Sequence, residues 1–355
     1  MHPTGWTIAL SLLTLCASLA ATGEEQQGIS FLHEDWEIVC DNTRTCRMAG
    51  YSSEGTDDGE RGSVLITRTA GPNTPLEGEV TLGSYGIDVV APSILTLWIN
   101  GKSRGKLKDT GNYSLTPTQI QALLAAARSD RTIEFKGDSK SFTLSGKGVS
   151  AVMLKMDEFQ GRIGTPGALI RKGEKPEESV LPPLPVPVIR AAKVSKAPSR
   201  ALTWPEVKAL KPLLWESEEE EFQTCNLHDS KSRGIEEFTE FTLTPLDERH
   251  VLISTPCWLA AYNWISMYWV MDSALKGVPK AVAVDGEYHE GEMRSAFKGR
   301  GLGDCWNGAD WIWDGSGFRQ SAEWHSGMCR LIHPGGTWRL PTLVTKIINK
   351  DETPY

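Results

Sequence analysis

Between Phe31 and Leu144 the apolar residues recur mostly at every second position or in short β-rich runs. Trp36, Ile38 and Cys40 alternate with other residues, the spacing of a strand with one buried face. Val64-Leu65-Ile66-Thr67 and Ile94-Leu95-Thr96-Leu97-Trp98-Ile99 have strand length, and Asn100-Gly101 after the second is a strong signal for a two-residue hairpin turn. Thr132 to Phe135 and Ser141 to Leu144 predict a second hairpin over Gly137-Asp138. At Thr116-Pro117-Thr118-Gln119 the pattern becomes a capping box with proline at the first helical position. Ile120, Leu123, Leu124 and Ala127 then fall on one helix face, and Val149 to Phe159 predicts a second helix. Residues 24–170 therefore read as a mainly-β domain with one or two helices.

Arg171 to Arg200 breaks this pattern. Pro176, Pro182, Pro183, Pro185, Pro187 and Pro198 exclude a helix or a central strand and predict an extended linker. Beyond it, Thr203-Trp204-Pro205-Glu206 is another capping box, with Val207, Leu210 and Leu214 on one helix face. The acidic run from Glu216 to Glu221 reads as a solvated helix end or loop. Short strand runs follow at Glu237–Thr244, Arg249–Thr255, Ile265–Met271, Ala281–Val284, Trp311–Trp313 and Phe318–Ala322. Closely spaced turn residues between them predict a sandwich or open barrel over 201–355. The fold class is α+β, mainly β, in two domains.

The net charge of −8 argues against general nucleic-acid binding, which rests on excess cation. No apolar run outside the N-terminus is long enough to span a membrane. Ile8 to Ala21 has the length of a signal-peptide core, and small residues after it allow cleavage after Ala20 or Gly23. Residues 1–23 are accordingly expected to direct export to the periplasm or beyond. Export favours disulfides. Cys16 would leave with the signal, and six cysteines would remain. Cys40 and Cys46 flank a turn-rich loop, while Cys225–Cys257 and Cys305–Cys329 are the economical pairs farther on. No close-set Cys or His ligands predict a metal, and no motif predicts a cofactor.

Catalytic motifs are lacking: there is no nucleophile elbow, phosphate loop or metalloprotease helix signature. Two Ser-x-x-Lys matches, at Ser103 and Ser273, lack the companion motifs of penicillin-interacting enzymes. His289 with Glu287, Glu290 and Glu292 reads as an exposed hairpin edge more readily than as a ligand set. Asp304, Asp310 and Asp314 are the residues from which a glycosidase-like carboxyl pair could be drawn. Tryptophan is the unusual count: ten of 13 lie from Trp204 onward. Trp306, Trp311, Trp313, Trp324 and Trp338 are candidates for stacking on a sugar or a protein partner, against the alternative that large aromatics build the core.

Four stretches carry a family resemblance. They are Asp35-Trp36-Glu37-Ile38-Val39-Cys40-Asp41-Asn42 with Cys46-Arg47-Met48-Ala49-Gly50-Tyr51; Met156 to Thr165; Pro256-Cys257 with Ala261-Tyr262-Asn263; and Gly301-Leu302-Gly303-Asp304-Cys305 with Trp311-Ile312-Trp313-Asp314-Gly315 and Phe318. Together they resemble the exported bacterial family catalogued as domain of unknown function 1176. The N-terminal part is also similar in pattern to invasion-associated locus B proteins. The resemblance implies a secreted or periplasmic protein and brings no activity or catalytic residues. The expectation is a non-catalytic envelope protein binding a protein or glycan partner. Its alternatives are an envelope-glycan enzyme using carboxylates near Asp304–Asp314, and an inhibitor of a lysozyme-type enzyme.

Overall fold

A computed structural model describes residues 27–55, 61–83, 92–109, 112–217, 240–259, 261–282 and 286–349. The expected signal segment, Cys16, Cys225 and most of the acidic run lie outside the described residues. The architecture is mainly β, with several stacked sheets and no closed barrel among the described residues.

In the N-terminal half, β1 (Ile29–His33), β2 (Trp36–Cys40), β3 (Cys46–Tyr51), β4 (Gly62–Arg68) and β5 (Glu77–Leu82) form an antiparallel meander. Two shorter strands, β8 (Lys108–Asp109) and β9 (Tyr113–Leu115), extend its edge. A second sheet combines β6 (Leu95–Ile99), β7 (Lys102–Lys106), β10 (Ile133–Gly137) and β11 (Ser141–Leu144). Helices α1 (Pro117–Ala127) and α2 (Val149–Phe159) complete the core. The predicted capping box on α1 is present: the Thr116 hydroxyl accepts from the Gln119 backbone N–H, and the Gln119 side chain accepts from the Thr116 N–H. Asn100 and Gly101 both take positive φ between β6 and β7, as the hairpin signal requires.

The proline-rich segment includes a 3-10 turn at Glu177–Ser179 and hydrogen-bonds to both halves. The Leu184 N–H donates to Thr43 O and Arg44 donates to Pro182 O on one side. On the other, the N–H groups of Ala192 and Ser195 donate to the carbonyls of Trp313 and Leu246. Within it β12 (Val188–Ala191) pairs in parallel with β23 (Lys346–Asn349).

In the C-terminal half, β13 (Arg200–Ala201), β14 (Thr242–Pro245), β15 (His250–Leu259), β16 (Trp264–Asp272) and β17 (Lys280–Val282) form one antiparallel sheet. Helix α3 (Trp204–Ser217) covers one face, where Val207, Leu210 and Leu214 meet Val251, Ile253 and Trp269. The opposite face, through Leu252, Tyr268 and Val270, meets Met293 and Trp313 of a second sheet. That sheet runs β18 (Glu287–His289), β19 (Glu292–Lys298), β20 (Trp306–Trp313), β21 (Phe318–His325) and β22 (Leu340–Val344).

The two halves share a buried seam. On β2 the even positions Trp36, Ile38 and Cys40 face the N-terminal core, while Val39 packs with Ala49, Tyr51, Met328, Ile332 and Leu340. Both faces of β2 are therefore covered, and all five of its residues are buried. Alternation predicts one buried face, and the C-terminal half supplies the cover for the other. Gly327 belongs to this seam. Its φ is +88°, and a Cβ there would lie 2.3 Å from the Tyr51 hydroxyl.

Candidate functional site

The five tryptophans singled out by sequence go to different places. Trp313 is fully buried, between His250 and Phe318. That corrects its expected role as a partner contact: the stacked sheet β14–β16 covers the face of β20 on which it sits. Trp311 is half-buried against the same core. Trp338 joins the seam, where its indole N–H donates to the Ser63 hydroxyl at 2.7 Å. Trp306 is half-buried, donates to the Gly303 carbonyl at 2.9 Å and has the Lys298 ammonium 5.3 Å from its ring. Trp324 alone of the five lines a groove on the outer face of the second sheet.

That groove has a volume of about 280 Å³. Register creates it. Asp310 and Ile312 point outward from β20, Glu292 and Arg294 from β19, and Pro341 and Leu343 from β22. Trp324 stands opposite Gly308 in the pairing of β20 with β21. A Cβ at Gly308 would lie 2.4 Å from the indole, so the missing side chain lets the ring lie across the sheet. The Arg339 guanidinium stacks 4.4 Å from the Trp324 ring and is 3.8 Å from Asp310. Arg294 pairs with Glu292 at 2.5 Å. The groove thus offers an aromatic ring, two guanidinium groups and two carboxylates over an apolar floor. Such a surface can stack on a ring face and hydrogen-bond to hydroxyl or amide groups.

Sequence reasoning singled out Trp324, Asp310 and Glu292, the last as part of an exposed hairpin edge, and passed over Arg294 and Arg339. The signal for Arg294 was present: Met293, Ser295 and Phe297 alternate with polar residues, marking β19 and its outward face. Arg339 lies in irregular chain before β22 and left no periodic signal.

The three aspartates proposed as a carboxyl pair are engaged separately. Asp304 is fully buried, accepts from Arg300 and from the Leu331 N–H, and belongs to the loop beside Cys305. Burial pushes its pKa up, but those donors outweigh it and hold the carboxyl below its usual value. Asp314 accepts from Ser316 and Gly317 in a turn. Asp310 faces the groove and Arg339. His289 and Glu290 are exposed side chains 3.9 Å apart.

Many of the residues carrying the family resemblance have buried structural duties, although Tyr262 and Leu302 are exposed. Asp157, Gln160 and Arg162 are fully buried. The Asp157 carboxylate accepts from the N–H groups of Leu169 and Ile170, and Gln160 donates to the carbonyls of Arg44 and Arg68. Arg162 donates to Gln160, Thr69, Gly71 and Thr74 and lies 3.4 Å from Glu177. Burial, with Arg68 nearby, brings its pKa down to about 10. The Asn42 amide brackets Val344 with two bonds to its backbone, at 3.1 and 2.8 Å. Arg330 of the C-terminal half reaches Asp35 at 2.7 Å. Glu37 accepts from the Tyr51 hydroxyl and from the Met328 N–H, with a His325 nitrogen 3.8 Å away. Burial raises the Glu37 pKa despite these partners.

Disulfides join Cys40 to Cys46 and Cys305 to Cys329. Cys257 is disulfide-bonded too, and its expected partner Cys225 lies outside the described residues. The first bridge closes the β2–β3 hairpin, and the second ties the start of β20 to the loop that enters the seam.

The chain is 24% identical to "Uncharacterized protein YpfG" of Escherichia coli (strain K12) over 338 residues, covering 87% of this chain and 90% of that protein. No solved structure matches it. Residues 30–345 match the family described as "Protein of unknown function (DUF1176)", from the first strand of the meander to the end of β22. With buried signature residues from both halves inside that single match, the chain belongs to the DUF1176 family.

Proposed function

We propose that this is an exported, non-catalytic envelope protein that binds a glycan in the groove around Trp324. One observation carries the reading: the stacked Trp324–Arg339 pair lies beside Asp310, Glu292 and Arg294 in a groove that Pro341 and Leu343 also line. A sugar ring can exchange with the guanidinium for the indole face, and the freed guanidinium and the carboxylates can take its hydroxyls. The separate engagement of Asp304, Asp310 and Asp314 supports binding over hydrolysis. The apolar start of the sequence and the cysteine pairing support an oxidising, extracytoplasmic location.

The test is co-sedimentation of the purified protein with peptidoglycan, alongside a glycan array. Trp324→Ala and Arg339→Ala should each weaken retention at least tenfold while the thermal transition holds. Equal retention of both variants sinks the groove as the binding site. A protein ligand captured with no glycan bound would replace the ligand class. Release of reducing ends from peptidoglycan would overturn the non-catalytic reading, and fractionation placing the protein in the cytoplasm would overturn export.

A further inference from the structure

The N-terminal half carries a second depression, lined by none of the residues around Trp324. It lies between α1 and residues 167–172 and holds about 560 Å³, inside the roughly 300–1,000 Å³ range of small-molecule sites. One wall is a helical stripe. Pro117, Ile120, Gln121, Leu124, Ala125 and Arg128 recur at spacings of one turn, so α1 lines the depression from its first turn to its C-cap. Ile120, Leu124 and Met153 are buried beneath it, and Leu76, Pro117, Ala125 and Leu169 supply the apolar surface open to a ligand.

Its charge is one-sided. Arg68, Arg128 and Lys172 line it, and no carboxylate does. Arg68 is tied down, with its Nε donating to Thr74 O at 3.1 Å and its Nη1 to Gly167 O at 2.8 Å. Arg128 and Lys172 are exposed, and among the described residues neither forms an ion pair with a carboxylate. Two cations free to engage a ligand therefore flank an apolar trough.

We infer that this trough binds a single-chain amphipathic anion, an alkyl carboxylate whose tail lies along Leu76, Ala125 and Leu169. Its head sits between Arg128 and Lys172. An apolar wall and unpaired cations together select for a molecule with both properties. A cationic chain is repelled by the same head site, and an uncharged one leaves it unused. A two-chain lipid would leave its second chain outside a trough of this size.

Isothermal titration of the full chain with dodecanoate, below its self-association concentration, tests this. Dodecyltrimethylammonium and dodecyl maltoside provide the same tail on other heads, and anionic phospholipid vesicles provide the lipid source. Dodecanoate should bind once per chain and at least tenfold tighter than either other surfactant. Arg128→Glu with Lys172→Glu should cost at least tenfold in affinity without moving the thermal transition. Gln121→Trp, which fills the trough from an exposed position, should abolish binding. Trp324→Ala should leave it intact, which separates this site from the glycan groove. Equal binding of the ammonium surfactant, indifference to the charge reversal, or vesicle binding with no free dodecanoate bound would each overturn the assignment.

Discussion

The seam between the halves and the groove around Trp324 use similar side chains in opposite ways. In the seam, Glu37, Tyr51, Asp35 and Arg330 are buried or nearly so and bonded across the junction, with His325 at its edge. In the groove, Arg294 and Arg339 are largely exposed, and their carboxylate partners remain in reach of water. A buried polar group that loses its partner costs its full desolvation, whereas an exposed ion pair contributes little. The stretches that carry the family resemblance concentrate in the first kind of environment. Asp35, Glu37, Asn42, Asp157, Gln160, Arg162 and Asp304 each hold backbone or a second half of the chain in place. Recognising the family thus rests largely on architecture, although Tyr262 and Leu302 of the same stretches are exposed, while the residues of the candidate groove, such as Trp324 and Arg339, lie outside those stretches.

The sharpest way to break this contrast is at Gly327. Gly327→Val places a branched side chain where φ is positive and the Tyr51 hydroxyl is already in the way. The expected loss is about 3 kcal/mol or more, read as a lowered midpoint in urea. A change under about 0.5 kcal/mol would mean that the junction opens at little cost. Next comes Tyr51→Phe. It strips the buried Glu37 of a donor and leaves the Met328 N–H with one acceptor fewer. About 1–3 kcal/mol should be lost. The groove supplies the control: Arg339→Ala removes an exposed cation–π contact and should cost under about 1 kcal/mol, while on the proposed reading it should weaken glycan retention at least tenfold. If the Arg339 variant proved less stable than the Tyr51 one, the division of labour between seam and groove would be wrong.

Legibility from sequence follows the same division. Local signals placed β2, the β6–β7 hairpin, α1 and α2, because alternation, Asn-Gly and a capping box act within a few residues. The second burial of β2 was invisible. Val39 and Glu37 read as an outward face, and it is the C-terminal stretch from Met328 to Leu340 that covers it. Proline content at 171–200 gave no sign of the 3-10 turn at Glu177–Ser179 or of the pairing of β12 with β23, since that partner lies more than 150 residues away. The tryptophan excess drew attention to the second C-terminal sheet without sorting its faces. Trp313 and Trp324 differ in role because one lies beneath a second sheet and the other does not, and strand parity alone cannot say which face is covered.

The smallest expected effect is in pH dependence, and the seam contains two groups of opposite sign. Glu37 has a folded-state pKa raised by burial. The unfolded chain releases that proton first, near 4.5, so stability falls as pH rises from there through the folded value. His333, bonded to Thr81 at 2.6 Å, has a pKa lowered by burial and by Lys140. Its unfolded form takes up a proton near 6.5 before the folded form does, so stability falls as pH drops from there through the lowered value. Glu37 acts upward from about 4.5 and His333 downward from about 6.5, and where the two windows overlap their slopes oppose each other. Glu37→Gln should therefore steepen the loss of stability on acidification, and His333→Gln should leave a protein that gains stability over the same interval. Urea midpoints at closely spaced pH values read both slopes. The groove variant Arg339→Ala should reproduce the parent curve, because Arg339 contacts neither group. If both glutamine variants also traced the parent curve, the seam would not be the source of the protein's response to pH.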